Sequence, residues 1–228
     1  MLTPTQSYDD NHPNNIAVLW DMDGVLVDTA ELHYQTWKQT LADYGIPFSR
    51  QIFNEFFGMN NEQTLTGILG RSPEPSFLQE SSDKKEDKFR KSIHGQVELY
   101  PGVRKLLKEL QRAGVRQAIA SSAPQENIDA LVNELNMASF FQAIVSGHKL
   151  NSKPDPATFL LAAERLGVKP QRCVVIEDAL HGIEAARRAD MKCIAVATTN
   201  PVDLLSPVDL VVASINELSA ARILDLIN

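Results

Sequence analysis

Short apolar runs bounded by polar clusters recur along the chain, at residues 16–20, 115–120, 143–145, 173–176, 193–197 and 210–213. Runs of this length suit strands buried on both faces of a sheet. Between them, residues 103–112, 125–135, 156–166 and 179–189 carry helical patterns, several closed by Gly or Pro. Strands alternating with helices predict βα units, hence a doubly wound, Rossmann-like α/β fold with a mostly parallel sheet covered on both faces.

One segment breaks the alternation. From Thr29 to Gln96 the patterns are helical, with no convincing buried strand; Thr29, His33 and Trp37 fall at i, i+4 and i+8 on one helix face. A Pro-containing stretch at 71–75 precedes a charged amphipathic run at 82–93, and Tyr100-Pro101-Gly102 marks a turn before the α/β pattern resumes. The organisation expected is a loose tail at 1–14, an α/β core from 15–28 plus 97–228, and a helical cap at 29–96 inserted after the first strand.

Composition narrows the class. Hydrophobic residues make up 43% of the 228-residue chain and charged residues 22%, as in folded soluble domains, so wholesale disorder is excluded. Lys and Arg number 22 against 29 Asp and Glu, a net charge of −7 without a basic block, which argues against nucleic-acid and anionic-membrane partners. Cys173 and Cys193 sit in apolar runs without metal or disulfide spacing and read as buried thiols in a reducing compartment. No run reaches the ~18 apolar residues of a membrane span. The polar N-terminus lacks the basic and apolar regions of a secretion signal, so a cytoplasmic location is expected. Oligomeric state is left open, with a monomer favoured.

Ligands of open α/β sheets bind beyond the carboxyl ends of the strands. There the sequence places Asp21 and Asp23 after the first run, Ser121 and Ser122 after the second, Lys153 after the third, and Glu177 and Asp178 after the fourth. Four carboxylates in one crevice repel one another unless a cation joins them. Oxygen-only donors select Mg²⁺ over zinc, and a partly hydrated Mg²⁺ commonly faces phosphate. Lys153 supplies a point charge suited to a phosphoryl oxygen and Ser121 a hydroxyl donor, so the set suits phosphoryl transfer, one carboxylate attacking phosphorus and another moving a proton.

Blander readings exist for each piece. The Asp-x-Asp-Gly of an EF-hand loop fails because Val25-Leu26-Val27 puts apolar groups where that loop needs oxygens. A receiver domain carries its acidic pair after the first strand, whereas here the Glu-Asp pair comes late. Glu177-Asp178 alone would suit a helix N-terminus. Ser121 or Ser122 could cap the helix that follows, and His33 could be a plain surface histidine. His12, His94, His148 and His181 have no metal-ligand spacing.

Taken in order, DMDGVLVDT, ASSA, KPDP and IEDALHGIEAARRADM resemble the motifs of the haloacid dehalogenase superfamily, and more narrowly its β-phosphoglucomutase-like branch, with a helical cap after the first motif. The resemblance implies Asp21 as nucleophile forming an aspartyl-phosphate and Asp23 as general acid/base. It implies Asp21, the Asp23 carbonyl, Glu177 and Asp178 around Mg²⁺, with Ser121 and Lys153 orienting the phosphoryl group. In the cap, Thr29, His33, Trp37 and Lys85 match the branch, His33 at a position that couples substrate binding to closure. Dehalogenase chemistry is disfavoured by the aspartate at 23.

Two departures bear on the substrate. The branch's mutases grip a distal phosphate with an Arg in Gly-x-x-Arg; here the stretch begins Gly58-Met59-Asn60-Asn61, and Asn61 supplies neither the charge nor the fork. After Ser121-Ser122, Ala123 and Pro124 stand where mutases continue with Ser and Lys. Arg71 is a candidate substitute cation. The expectation is a Mg²⁺-dependent phosphatase of small phosphate monoesters, sugar phosphates among them, acting on a small phosphorylated metabolite. A β-phosphoglucomutase is the alternative, and a catalytically silent phosphate-binding protein the non-enzymatic one.

Overall fold

A computed structural model of the chain describes residues 15–227. The expected tail at 1–14, with His12, lies outside the described residues. Strand β1 (Ala17–Trp20) is followed by four helices, α1 (Ala30–Ala42), α2 (Arg50–Phe56), α3 (Asn61–Leu69) and α4 (Pro75–Ser92), with no strand among them. Then come α5 (Val103–Arg112), β2 (Arg116–Ser121), α6 (Gln125–Glu134), β3 (Ala143–Ser146), α7 (Ala157–Leu166), β4 (Cys173–Glu177), α8 (Leu180–Arg188), β5 (Lys192–Val196), β6 (Leu210–Val212) and α9 (Ala220–Leu224). The strands form one parallel sheet in the order β3-β2-β1-β4-β5-β6, the doubly wound α/β arrangement that the apolar runs predict.

Strand alternation builds two cores. Val18 and Trp20 face one side of the sheet with Leu106, Leu107 and Leu110 of α5 and Ile128 and Leu131 of α6. Ala17 and Leu19 face the other, with Phe159 and Ala162 of α7 and Ala185 and Ala186 of α8. Burying each large aliphatic or aromatic side chain contributes roughly 1.5–3 kcal/mol, which is why a strand without polar positions is confined to the middle of the sheet. The polar Gln117 is tolerated inside because it accepts from Trp20 Nε1 (3.2 Å) and donates to the Leu107 carbonyl (3.1 Å).

Two boundaries differ from the periodicity reading. Ser121 belongs to β2 despite its polarity, because it pairs with Ser146 of β3; partner register, not hydropathy, ends the strand. The helix that carries the charged run at 82–93 starts earlier than the pattern suggests: α4 begins at Pro75, whose missing N–H costs nothing in a first turn, while 71–74 stay outside it. The inserted helices hold a small core of their own around Trp37, Leu41 and Leu65, while Phe89 joins the larger core below. No described helix is long and apolar enough to cross a membrane.

In this topology the chain leaves β1 to one side for β2 and β3 and returns on the other with β4. The switch point therefore lies between the carboxyl ends of β1 and β4.

Candidate functional site

Asp21 follows β1 directly, its N–H donating to the Ile176 carbonyl of β4 (3.0 Å), so the sheet itself sets it beside Glu177 and Asp178. The chain then folds tightly, the Met22 carbonyl accepting from Val25, Leu26 and Val27. Gly24 sits in this turn at φ +90°, where an added Cβ would lie 2.1 Å from Asp178 Oδ2; only glycine lets the two loops close on each other.

Lys153 joins the crevice at 3% exposure. Its Nζ donates to Asp21 Oδ1 (2.5 Å) and Glu177 Oε1 (2.6 Å). Burial opposes its charge, but the two carboxylates hold the ammonium above the usual lysine range. Glu177 Oε2 accepts from the N–H groups of Asp178 (2.7 Å) and Ala179 (2.8 Å). Against the cost of burial, Lys153, His181 and these bonds keep Glu177 below the ordinary carboxylate range. Gly182 of α8 permits this packing, since a Cβ there would fall 1.7 Å from Glu177 Oε1.

The remaining carboxylates are less well compensated. Burial, with the charge of Glu177, pushes Asp21 up to about 7 although Lys153 opposes the shift. Asp178, 2% exposed, is raised well above its usual value by burial, Glu177 and Asp21, with only Thr199 Oγ1 (2.5 Å) among the described residues donating to its side chain. Three buried carboxylates thus share one ammonium, and every donor is oxygen. That surplus of negative charge and that donor chemistry fit a small hard divalent cation such as Mg²⁺. Among the described residues no three His, Cys, Asp or Glu side chains surround a common point as a finished cage; Lys153 stands between Asp21 and Glu177.

Asp23 turns the other way, toward the inserted helices. Thr29 Oγ1 donates to its Oδ1, and His33 Nε2 lies 3.4 Å from the same oxygen. Burial works against the charge, yet His33, Thr29 and Lys85 together hold Asp23 below its ordinary value. His33 stacks on Phe89 with centroids 4.1 Å apart, and its Nδ1 meets Lys85 Nζ at 2.9 Å. His33 is therefore a site neighbour, not a plain surface residue.

Ser121, 1% exposed, accepts the Ala123 N–H on its Oγ (3.1 Å), which leaves its own O–H to donate; Ser122 lines the same cavity. Neither serine caps α6, whose N-cap is Pro124. The cavity between these strand ends and the inserted helices measures about 60 Å³. Asn61 lines it, but Arg71 is exposed and does not. His148 also lines it, His181 Nε2 lies 3.1 Å from the Gly58 carbonyl, and exposed His94 pairs with Glu134.

Sequence reasoning passed over Glu86 and Asn127. Glu86 Oε1 accepts from Asn61 Nδ2 (2.8 Å), its Oε2 from Asn127 Nδ2 (2.5 Å), and Lys85 Nζ approaches both oxygens (3.0 and 3.1 Å). The signal was available: Ser81, Ser82, Lys85, Glu86 and Phe89 share the buried face of α4, and polar residues on the face that carries Phe89 mark a functional surface.

The profile of the haloacid dehalogenase-like hydrolase family matches residues 18–196. The chain is 34% identical over 213 residues to β-phosphoglucomutase of Bacillus subtilis, covering 89% of this chain and 91% of that protein. It is 32% identical over 208 residues to the chloroplastic 5-amino-6-(5-phospho-D-ribitylamino)uracil phosphatase of Arabidopsis thaliana. That match covers 90% of this chain but only 56% of the relative, so the chain spans little more than half its length. The crystal structure of CbbY from Rhodobacter sphaeroides in complex with phosphate superposes with a TM-score of 0.82 at 28% identity, covering 90% of this chain and 97% of that one.

Proposed function

The chain belongs to the haloacid dehalogenase-like hydrolases, and on that premise we propose that it is a Mg²⁺-dependent phosphatase of small phosphate monoesters, sugar phosphates among them. The observation that carries the reading is the opposed setting of two aspartates two residues apart. Asp21 faces Lys153 in the crevice, and Asp23 faces His33 across it.

In this mechanism Asp21 attacks phosphorus, forming an aspartyl-phosphate while the ester oxygen leaves. Asp23 protonates that oxygen; the dianion arriving beside it raises its proton affinity against the pull of His33. Asp23, now ionised, takes a proton from water, and that water hydrolyses the aspartyl-phosphate. Lys153 and the Ser121 hydroxyl hold phosphoryl oxygens throughout. Asp21, Asp178 and the Asp23 carbonyl, with Glu177 behind Lys153, would hold Mg²⁺, whose charge offsets the carboxylates and the phosphoryl oxygens when bound.

The inserted helices act as a cap. They close over a cavity of about 60 Å³ above the strand ends, opening to admit a sugar phosphate and returning to exclude water. Similarity to the Bacillus mutase, with Thr29, His33, Trp37 and Lys85 in place, favours phosphomutase as the second reading. Against it, Asn61 donates to Glu86 and brings no cation to the cavity. Phosphate release from sugar phosphates with Mg²⁺, lost in Asp21→Asn, tests the proposal; equal release by that variant rejects it.

A further inference from the structure

The wall of the cavity opposite Asp21 differs from a phosphate grip in one decisive way: its centre is a carboxylate. Glu86 is 5% exposed, and the amides of Asn61 from α3 and Asn127 from α6 both donate to it. The nearest cation, Lys85, is divided between Glu86 and His33 Nδ1. Pro124 has no N–H to offer, and the Ala123 N–H is taken by Ser121. A second phosphate placed here would meet the Glu86 carboxylate, while both cations at this wall are already engaged, Lys85 with Glu86 and the Arg90 guanidinium with Asn127 Oδ1 (3.0 Å). A hydroxyl, which both donates and accepts, can pair with Glu86 or the Asn61 amide without that penalty, while the buried Asn127, bonded to Glu86 and Arg90, holds the carboxylate in place.

On the other side of this wall lies a groove of about 610 Å³, which shares Asn60, Asn61, Glu86, Pro124 and His148 with the cavity. Glu62, Asp83, Asp87 and Glu126 line it with Glu86, against Arg90 and Lys149. Ser82, 8% exposed, lines the groove as well, and its enclosed Oγ has no hydrogen-bond partner among the described residues.

We propose that Glu86, with Asn61 and Asn127, forms a subsite for the uncharged polyhydroxylated end of the leaving group, extending into the Ser82 groove, and that Glu86 bars substrates carrying a second phosphate there. This deepens the phosphatase reading and rests on it for turnover, but the preference is a property of binding and is measurable without turnover.

The test compares glucose 6-phosphate with glucose 1,6-bisphosphate, the same sugar with and without the second charge. In the wild type with Mg²⁺, kcat/KM for the monophosphate exceeds that for the bisphosphate by about tenfold or more, and Glu86→Gln narrows the ratio by about tenfold. A ratio is unaffected by a general loss of activity, and the wild-type value stands even where Glu86→Gln, or the shorter Glu86→Asn, fails to fold. Calorimetric Kd values for both sugars in Asp21→Asn give the same comparison without chemistry. If no ester is hydrolysed but the Kd preference holds and Glu86→Gln reverses it, the phosphatase reading falls and the subsite stands. Equal or better use of the bisphosphate by the wild type, or a ratio that Glu86→Gln does not move, overturns the subsite.

Discussion

Lys85 fixes the tautomer of His33. An ammonium group has no acceptor, so the 2.9 Å contact between Lys85 Nζ and His33 Nδ1 makes Nδ1 the acceptor and puts the imidazole hydrogen on Nε2, the nitrogen that faces Asp23. A residue on α4 thereby determines which partner Asp23 meets on the other side of the cavity.

Replacing Lys85 with Met removes that constraint. The expected result is a fall in kcat/KM of about tenfold, a fraction of the 10²–10⁴ that a general acid/base supplies. The ¹⁵N shifts of His33 should show the Nε2–H tautomer in the wild type and a mixture in Lys85→Met. An unchanged tautomer would contradict the relay even if activity fell.

The carboxylates at the ends of β1 and β4 predict a response to metal that does not depend on turnover. Asp21 and Asp178 are both destabilised by burial and by the charge of Glu177, so a divalent cation that joins them stabilises the folded protein by mass action. EDTA should stop phosphate release and lower Tm, and Mg²⁺ should restore both. Asp178→Asn should blunt the Mg²⁺-dependent rise in Tm. Full activity in metal-free protein would reject the ion site.

Glu86 predicts a pH dependence of stability. Lys85, with the Asn61 and Asn127 amides, outweighs its burial and holds its pKa below the usual glutamate value in the folded protein. Its ionised form therefore contributes stability above the unfolded pKa of 4.5, and the contribution is lost as pH falls through the lower folded pKa. Breaking a buried pair costs about 3–5 kcal/mol. Glu86→Gln should accordingly be less stable than the wild type by about that much at pH 7, and the gap in urea unfolding should narrow as pH drops below 4.5. A gap constant across that range would show that the charge is not what Glu86 contributes.

The fold was legible because β1 and β4 are buried on both faces, so their sequences contain the apolar runs 16–20 and 173–176, each ending where a carboxylate begins. The crevice groups were legible for the same reason: topology places residues at strand ends, and Asp21, Ser121, Glu177 and Asp178 each sit at one. What escaped depends on how α4 meets α6. Glu86 and Asn127 are 41 residues apart, and although the face of α4 that carries Phe89 marks Glu86, only the packing of the inserted helices on the core brings the two side chains within 2.5 Å. The start of α4 was placed too late because Pro75 reads as a break from outside a helix and as a first-turn residue from within one.

The most direct test of the central claim is one incubation that follows two products. A panel of sugar phosphates, including β-glucose 1-phosphate with a trace of glucose 1,6-bisphosphate, is mixed with protein and Mg²⁺. Inorganic phosphate and glucose 6-phosphate are measured together, with Asp21→Asn alongside. The account predicts phosphate release from at least one monoester, no accumulation of glucose 6-phosphate from β-glucose 1-phosphate, and silence in Asp21→Asn. Glucose 6-phosphate formed without phosphate release would make the protein a mutase, and phosphate release undiminished in Asp21→Asn would remove Asp21 from the chemistry.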